Sequence, residues 1–589
     1  MSTHGAATVP VDDIAAGEKP QNGVKGLKHW RYDLMAGLQV AMMGIPLSLG
    51  IAVASGAPPV CGIILAIIAG FVFPFLGGAY ITISGPAAGL APALLAGTLA
   101  LGHGDLEAGY PLLLVAICLV GIVQVILSVF NAGRFALFFP ISVVEGMLMA
   151  IGMLIIVKQV PAFLGYVTPP IKSIPKALML IPEQVMGMNP LIAGIGALSL
   201  FLLFFLSGIL ARIQGTWPRL VPVPLIVIIL AGLTSWILGL EEKWLIQVPL
   251  NIFEHGIVLP HFVEAFSRPE LYGSLLLIIV TLTLIDGTES LATIAAIDKI
   301  DPFKRKSNPN VTLRAMGVSN SLSSLFGGLT IIPGGLKSTT NMLAGGRTLW
   351  ANFYYACFQL IILLFAASLI NLIPKSALAG LLIWIGWKLC SHKVFKRIFA
   401  VGKEPMFIAM VNVVVTLATS DILDGMIVGT LTKIVLLVKD VVQASPDGGV
   451  GAAFKELFRN PVIRIGDTGG GSRSVMTVSA NAVLRGTVGE MKNPYKIYLS
   501  SATCMNLVKL DAALKAIVVP EGMKADYMII LAGKIVDHTT MEYLHGFQDR
   551  AIEGGHTCVL VGMDHFRGLS DHALAYRVSQ VPGNLPAFA

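Results

Sequence analysis

Long apolar runs, separated by short polar loops, fill the chain up to the region of Asp440. A run of ~20 apolar residues can cross the ~30 Å hydrocarbon core of a bilayer, where the backbone must be helical or part of a closed barrel. We therefore expect spanning helices near residues 35–54, 60–79, 111–130, 141–158, 189–211, 220–240, 272–298, 311–329, 350–373, 375–391, 406–419 and 421–439.

Two shorter stretches, Ile81–Leu101 and Pro333–Arg347, are rich in glycine and proline. Counting them, we expect about fourteen membrane elements. Ser84-Gly85-Pro86 interrupts the third element of the first half, and Pro333-Gly334-Gly335 interrupts the third element of the second half. Either interruption alone could be a loop or a re-entrant turn. Their matched positions favour a substrate site at the membrane midplane, where two half-helix N-termini would attract an anion.

The basic residues predict the orientation of the two halves. Lys25, Lys28 and Arg31 precede the span 35–54, so that span should begin in the cytoplasm. Five basic residues follow the span 272–298, so that span should end in the cytoplasm. The two halves therefore run in opposite directions and are expected to be inverted repeats.

The composition changes after Asp440. A Gly/Ser-rich stretch is followed by alternating strand-like and helix-like segments, which is typical of a small α/β domain. We expect a cytoplasmic N-terminal segment over residues 1–32, a membrane domain over 33–440, a linker over 441–494 and the soluble domain over 495–589.

Composition excludes several classes of function. Hydrophobic residues make up 55% of the chain and charged residues only 13%, compared with about 25% charged residues in soluble domains. The polar N-terminus has no apolar segment typical of a cleaved signal peptide. The six cysteines form no C-x-x-C pair, and the sequence contains no recognisable catalytic constellation. We therefore expect no enzyme activity, cofactor, structural metal or nucleic-acid partner.

Two acidic residues lie near the middle of the apolar span 272–298, and a third, Asp298, lies at its cytoplasmic end. Asp286 and Glu289 follow helical spacing and share a face with Thr293. A bare charge at this depth costs several kcal/mol, so this face should point into the protein or a cavity. Both acids are candidates for ion coupling. The alternative is an ion pair that only holds two helices together, and for Asp286 the two interpretations are equally weighted.

Lys337 lies in the first turn after the second interruption. A cation at a helix N-terminus opposes the helix dipole, and a substrate anion or Glu289 nearby would offset that cost. The alternative is a lysine that extends its ammonium group to the membrane surface. The neighbouring hydroxyl groups of Ser338, Thr339 and Thr340 are expected to cap the half-helix.

Several motifs resemble the SulP family of anion transporters. The first span reads RYDLMAGLQVAMMGIPLSLGIAVASGAPPVCG and the first interruption ITISGPAAGLAP. The second half contains DGTESLATIAAIDK, RKSNPN and GVSNSLSSLFGGLTIIPGGLKSTTNMLAGGRT. The C-terminal region resembles a STAS domain, in which His538 replaces a serine that is phosphorylated in bacterial regulators. The departure at His538 argues against phosphorylation at that position.

The resemblance implies a polytopic α-helical membrane protein with two inverted seven-helix repeats, divided into core and gate domains that move as an elevator. It also implies a homodimer in the cell membrane, with the N-terminus and the STAS domain in the cytoplasm. By the resemblance, Glu289 couples transport to an ion and Lys337 lies beside the substrate. The residues that would line the anion pocket with Lys337 are Ala87, Ala88, Gly335, Leu336 and Ser338.

Sodium-coupled relatives place threonine hydroxyl groups near the positions of Ala87 and Gly335. Those hydroxyl groups are absent from this chain, although Thr293 remains, so a sodium site is disfavoured. Buried Glu289 is expected to be able to carry a proton. We thus expect a secondary transporter for a small anion, with bicarbonate or sulfate favoured, that works by proton symport or exchange. The expected partners are the anion, a coupling proton, membrane lipid and a second copy of the chain.

Other readings of the sequence stay open. Within the transporter class, they are sodium-coupled bicarbonate uptake, dicarboxylate transport and a nucleobase-type permease. From a different class, the chain could be a membrane sensor that signals through its STAS domain.

Overall fold

The computed structural model describes residues 19–131, 133, 140–167, 173–210, 212–213, 222–248, 257–303, 305–444, 449–466, 495–517, 526–553 and 555–579. The predicted N-terminal segment, the linker and the last residues of the soluble domain lie partly outside these ranges. The predicted domain boundaries stay predictions.

Helices dominate the described part of the chain up to Ala444. In the first half they are α1 (Trp30–Ala54), α2 (Pro59–Leu76), α3 (Ala91–Leu101), α4 (Leu106–Val129), α5 (Ile141–Leu164), α6 (Ile174–Met186), α7 (Pro190–Leu210) and α8 (Val223–Leu238). In the second half they are α9 (Phe262–Ser267), α10 (Tyr272–Ile300), α11 (Pro309–Leu325), α12 (Gly335–Leu343), α13 (Trp350–Phe365), α14 (Ala367–Ile370), α15 (Lys375–Leu389), α16 (His392–Val401), α17 (Lys403–Thr419) and α18 (Ile422–Ala444).

Six helical segments of the described residues are long and apolar enough to cross a membrane. They are Gly23–Ala54, Pro59–Leu76, Leu106–Val129, Ile141–Leu164, Pro190–Leu210 and Pro269–Asp298. Shorter apolar helices occur at Ala88–Leu101, Val223–Leu238 and Trp350–Phe365. The prediction of a polytopic helical membrane protein is confirmed.

Helix boundaries depart from the hydropathy pattern in several places, including the following two. The predicted span 350–373 is divided at Ala366 into α13 and α14. The short helix α6 lies between two predicted spans; the sequence did not indicate it because Lys176 and Glu183 interrupt its apolar residues.

Two compact units make up the chain. The first comprises Met1–Ala136, Leu148–Cys390 and Thr416–Leu423, and the second comprises Leu137–Met147, Ser391–Val415 and Asp424–Ala589. Both glycine- and proline-rich interruptions belong to the first unit.

The two interruptions are paired short strands. β1 (Ile83–Pro86) and β2 (Ile331–Gly334) run antiparallel, with Ile83 opposite Gly334 and Pro86 opposite Ile331. This pairing satisfies backbone groups that could find no partner in lipid. Each strand leads into a half-helix, as predicted: β1 into a 3₁₀ turn and α3, and β2 directly into α12.

Helices α4 and α11 approach closely at two glycines. A Cβ atom at Gly317 would lie 2.5 Å from the Gly121 carbonyl oxygen, and one at Gly121 would lie 2.5 Å from the Gly317 carbonyl oxygen. Small residues at such a crossing let two backbones pack tightly in a membrane. The crossing places α11 where its side chains can meet those of α4.

The second unit contains an α/β region after α18. Its strands are β3 (Val462–Gly466), β4 (Tyr495–Leu499), β5 (Asp526–Leu531), β6 (Ile535–Val536), β7 (Thr557–Val561), β8 (Phe566–Gly568) and β9 (Arg577–Ser579). Its helices are α19 (Gly449–Phe458), α20 (Leu507–Lys515) and α21 (His538–Glu553).

The main sheet of this region has the order β3-β4-β5-β7, with β4, β5 and β7 parallel. Ile497, Ile529, Leu510 and Leu544 pack in one buried core between the sheet and the helices. This arrangement is consistent with the predicted STAS domain.

Candidate functional site

The β1–β2 pair is held by polar side chains from α12 and α13. The Ile83 N–H donates to Ser338 Oγ at 2.9 Å, and the Ser84 N–H donates to Asn352 Oδ1 at 2.9 Å. Asn352 Nδ2 also donates to the Thr82 carbonyl at 2.7 Å. The first interruption is therefore fixed by residues of the second half of the chain.

Lys337 lies between the two interruptions, in the first turn of α12. Its side chain is buried, with 2% exposure, and Nζ donates a hydrogen bond to the hydroxyl oxygen of Tyr355 at 3.1 Å. Nζ also lies against the backbone of Gly85, where a Cβ atom would come within 2.5 Å of it. The ammonium group therefore contacts the first interruption although it belongs to the second. The alternative of a lysine extended to the membrane surface does not hold.

No carboxylate forms an ion pair with Lys337 within the described ranges. Of the two groups expected to offset the charge of Lys337, a substrate anion or Glu289, the latter therefore makes no ion pair with it. A buried lysine without a counter-ion has lost its hydration, so its charged form needs a nearby anion to stabilise it. An anion entering this position would compensate both this charge and the positive end of the α12 dipole.

Glu289 lies beside the first interruption. A Cβ atom at Gly89 would lie 2.8 Å from the Glu289 carboxyl carbon, so any larger residue there would force this carboxyl group to move. The buried Oε2 atom of Glu289 has no hydrogen-bond partner. Thr293, one turn further along α10, faces the second interruption: its Cγ2 is 3.9 Å from the position of a Cβ at Gly335.

Asp286 lies in a different environment from Glu289. Its carboxylate is fully buried and accepts hydrogen bonds from Gln124 at 2.6 Å, Asn320 at 3.0 Å and Ser290 at 3.3 Å. The two acidic residues of the predicted coupling face thus differ: both carboxyl oxygens of Asp286 have hydrogen-bond partners, whereas Glu289 has an oxygen without one.

The remaining predicted residues differ in accessibility. Ala87 and Ser338 are buried, Ala88 is half-buried, and Gly335 and Leu336 are exposed. Pocket-lining by this set stays a prediction.

The expected capping role of the hydroxyl groups is wrong. Ser338, Thr339 and Thr340 donate to the carbonyl oxygens four residues earlier, those of Gly334, Gly335 and Leu336. The N-cap residue is Gly334, which has no side chain to cap the helix. Hydroxyl groups inside a first turn instead bond back to the preceding turn.

Sequence reasoning missed several polar residues around the two interruptions. They include Tyr355, Asn352, Asn341, Gln124 and Asn320. Each is a hydrogen-bonding side chain within or beside an apolar segment, and such residues mark internal contacts in membrane proteins. That signal was present in the sequence. Among the described residues, no group of three or more His, Cys, Asp or Glu side chains could hold a metal ion.

The model of the sulfate permease family matches residues 30–412. The chain belongs to the sulfate permease family. This match spans α1 to the middle of α17 and includes both interruptions. The family resemblance drawn from the motifs is confirmed, and the protein is a multi-pass membrane transporter rather than an enzyme.

Curated relatives of this sulfate permease family member are distant in sequence. It is 23% identical over 414 residues to the bicarbonate transporter BicA of Picosynechococcus sp., covering 69% of this chain and 70% of that protein. It is 23% identical over 432 residues to the putative sulfate transporter YvdB of Bacillus subtilis, covering 71% of this chain and 76% of that protein. Anion transport is thereby supported.

Solved structures share the fold of this family member. The transmembrane domain of the cyanobacterial bicarbonate transporter BicA matches with a TM-score of 0.58 and 22% identity, covering 69% of this chain and 98% of that one. The overall structure of SLC26A9 matches with a TM-score of 0.62 and 18% identity, covering 90% of this chain and 84% of that one. The second match extends into the C-terminal α/β region.

Proposed function

We propose that this protein carries a small anion across the cell membrane and couples its movement to a proton on Glu289. Bicarbonate and sulfate are the favoured substrates because relatives bear those names. The anion would bind between the two interruptions, close to the Lys337 ammonium group. The protein would act as a homodimer with its N-terminus and STAS domain in the cytoplasm, and its core domain would move as an elevator.

The observation that carries this proposal is the state of Lys337. Its ammonium group is buried at the N-terminus of a half-helix, contacts the other interruption and has no counter-ion in the described residues. Both the lysine and the helix dipole favour a negative ligand at that point. A neutral nucleobase would not compensate this charge, so the observation favours an anion.

Glu289 is the group proposed to carry the proton. Its Oε2 atom is buried without a hydrogen-bond donor, so the described residues do not stabilise a negative charge on this oxygen by a hydrogen bond. A carboxyl group in this situation is suited to take up a proton on one side of the membrane and release it on the other. Anion exchange without a proton is the competing mechanism.

The experiment is uptake of labelled anion into proteoliposomes that contain the purified protein. Bicarbonate, sulfate, chloride and succinate are each offered with and without an inward proton gradient, and with choline in place of sodium. We expect the gradient to accelerate uptake of one of the first two anions. An uptake rate that is unchanged by the proton gradient but requires sodium would reject proton coupling. The absence of uptake for all four anions would favour a sensor function.

Two variants connect the result to the site. Glu289→Gln should abolish the response to the proton gradient while leaving an exchange activity, because the amide cannot carry the proton. Lys337→Ala should raise the anion KM, and the fold-change in KM should exceed the fold-loss of expression, each relative to the parent protein. Lys337→Arg is the matched control, since it keeps a cation in the same turn. An unchanged KM in Lys337→Ala would reduce that lysine to a structural role.

A further inference from the structure

Asp286 is surrounded by hydrogen-bond donors from three helices. Gln124 Nε2 on α4 lies 2.6 Å from Asp286 Oδ2, and Asn320 Nδ2 on α11 lies 3.0 Å from the same oxygen. Ser290 Oγ, one turn along α10, donates to Oδ1 at 3.3 Å. Two amide N–H₂ groups on one carboxyl oxygen are the contacts suited to an ionised carboxylate.

Asn320 relays this contact to the second interruption. Its Nδ2 also donates to Gln124 Oε1 at 2.8 Å, which completes a closed set of contacts with Asp286. Its Oδ1 accepts the backbone N–H of Ile331 at 2.6 Å. Ile331 is the first residue of β2 and lies opposite Pro86 of β1. An unbroken chain of hydrogen bonds therefore joins the Asp286 carboxylate to the start of β2.

The position of β2 fixes the position of the proposed anion site. β2 is four residues long and leads directly into α12, whose third residue is Lys337. Because β2 and α12 are continuous in the chain, a shift at Ile331 would move the α12 N-terminus and the ammonium group. Hydrogen-bonded networks of buried polar groups are suited to such positioning because a lost partner is costly.

We infer that Asp286 is a positioning residue for the anion site, acting through Asn320 and the Ile331 N–H, and that it does not carry the coupling proton. The inference rests on the proposed function in one respect, namely that the anion binds beside Lys337. The sequence left two roles open for Asp286, ion coupling and an ion pair that only holds helices together, and the inference replaces both with a positioning role. The unpartnered carboxyl oxygen belongs to Glu289 instead.

Proton transfer at Asp286 would conflict with its contacts. A protonated carboxyl group must donate its own O–H, and of the three groups that face Asp286 only the Ser290 hydroxyl group can turn to accept it. Protonation of Oδ2 would break a contact with Gln124 or Asn320 and disturb the Ile331 N–H contact, whereas protonation of Oδ1 would reverse the Ser290 contact. The two amide donors on Oδ2 therefore favour the ionised form of Asp286.

The test compares a single variant with an exchange of the two side chains. Asp286→Asn places an amide N–H₂ among donors, so we expect the anion KM to rise about tenfold, with Vmax within about twofold and the proton-gradient response intact. The double variant Asp286→Asn with Asn320→Asp restores a carboxylate that accepts the Ile331 N–H and the new amide, after the Gln124 amide turns over. We expect its KM to return to within about threefold of the parent value.

Kinetics are measured in proteoliposomes, with a melting temperature recorded for each variant as a check on folding. If Asp286→Asn yields no folded protein, Gln124→Met serves in its place, because it keeps the carboxylate but removes the Gln124 contacts with both Asp286 and Asn320, which hold Asn320 against the Ile331 N–H. We expect that variant to raise the KM without changing the proton-gradient response. Loss of that response in either variant would overturn the inference, as would a double variant whose KM stays as high as that of Asp286→Asn.

The outcome is separable from failure of the proposed function. Absent proton coupling would already be seen in the parent protein, before any change at Asp286. A KM that rises in Asp286→Asn and recovers in the exchanged double variant would support the positioning role even then, provided that the protein transports an anion.

Discussion

Lys337 donates a hydrogen bond to the hydroxyl oxygen of Tyr355 over 3.1 Å, with both side chains buried in the first unit. The hydroxyl group holds the ammonium group between α12 and α13, next to the backbone of Gly85. A hydrogen bond to a buried charged group is among the stronger ones in a protein, at about 1.5–3 kcal/mol.

Removing this hydroxyl group should weaken anion binding. In Tyr355→Phe the ammonium group loses its acceptor and is no longer directed toward Gly85, so we expect the anion KM to rise about tenfold. Tyr354→Phe is the matched control, since it removes the hydroxyl group of the neighbouring residue on the same helix. The measurement is initial uptake against anion concentration. Equal KM values in the two variants would show that Tyr355 does not orient Lys337.

Gly89 should be required for the coupling carboxyl group to occupy its place. In Gly89→Ala the added methyl group would lie 2.8 Å from the Glu289 carboxyl carbon, so the carboxyl group must move. We expect the response of uptake to a proton gradient to fall several-fold while the protein remains folded. Gly287→Ala is the control. Gly287 lies on the same helix as Glu289, and a Cβ atom there would have no neighbouring atom within 4 Å. A normal proton response in Gly89→Ala would argue against Glu289 as the coupling residue.

The crossing of α4 and α11 should tolerate no methyl group at Gly317. A Cβ atom there would lie 2.5 Å from the Gly121 carbonyl oxygen, and backbone cannot move aside as a side-chain end can. Overpacking of this kind costs about 1–3 kcal/mol, so Gly317→Ala should lower the melting temperature in detergent. Gly194→Ala on α7, where a Cβ meets nothing, should leave the melting temperature unchanged or raise it. A melting temperature for Gly317→Ala equal to that of Gly194→Ala would contradict the close crossing.

A buried charge cluster in the second unit should stabilise the C-terminal region. Lys433 on α18 lies 2.6 Å from Glu404 and 3.7 Å from Asp537, which precedes α21, and its side chain is only 3% exposed. Lys433→Met would leave two buried carboxylates without their cation, at a cost of about 3–5 kcal/mol. We expect a lower melting temperature and faster cleavage of the C-terminal region by trypsin.

The control for this cluster is an ion pair in the same region whose lysine is exposed and whose buried carboxylate, Asp511, also accepts a hydrogen bond from Tyr543 at 2.8 Å. Lys515 lies 2.6 Å from Asp511, but its side chain is 49% exposed. Lys515→Met should therefore change stability by about 1 kcal/mol or less. Equal destabilisation by the two methionine variants would show that burial of Lys433 is not what matters.

The sequence by itself determined the class of the protein and the outline of its membrane domain. Apolar runs near the length of a bilayer identified α1, α2, α4 and α10, since no other backbone form survives in lipid. Proline and glycine at residues 84–86 and 333–335 located both interruptions, because these residues break helices whatever their surroundings. Acidic side chains in an apolar span also singled out Asp286 and Glu289.

Only the tertiary structure decided how these pieces meet. β1 and β2 are about 250 residues apart, and no local pattern predicts that Ser84 pairs with Pro333. The environments of Asp286 and Glu289 diverge because α4 and α11 bring Gln124 and Asn320 to one carboxyl group, whereas the other lies against Gly89 with one oxygen unpartnered. Helical periodicity gave the two acids one common face, but hydrogen bonding depends on donors from distant segments, and these are placed only when the chain is packed.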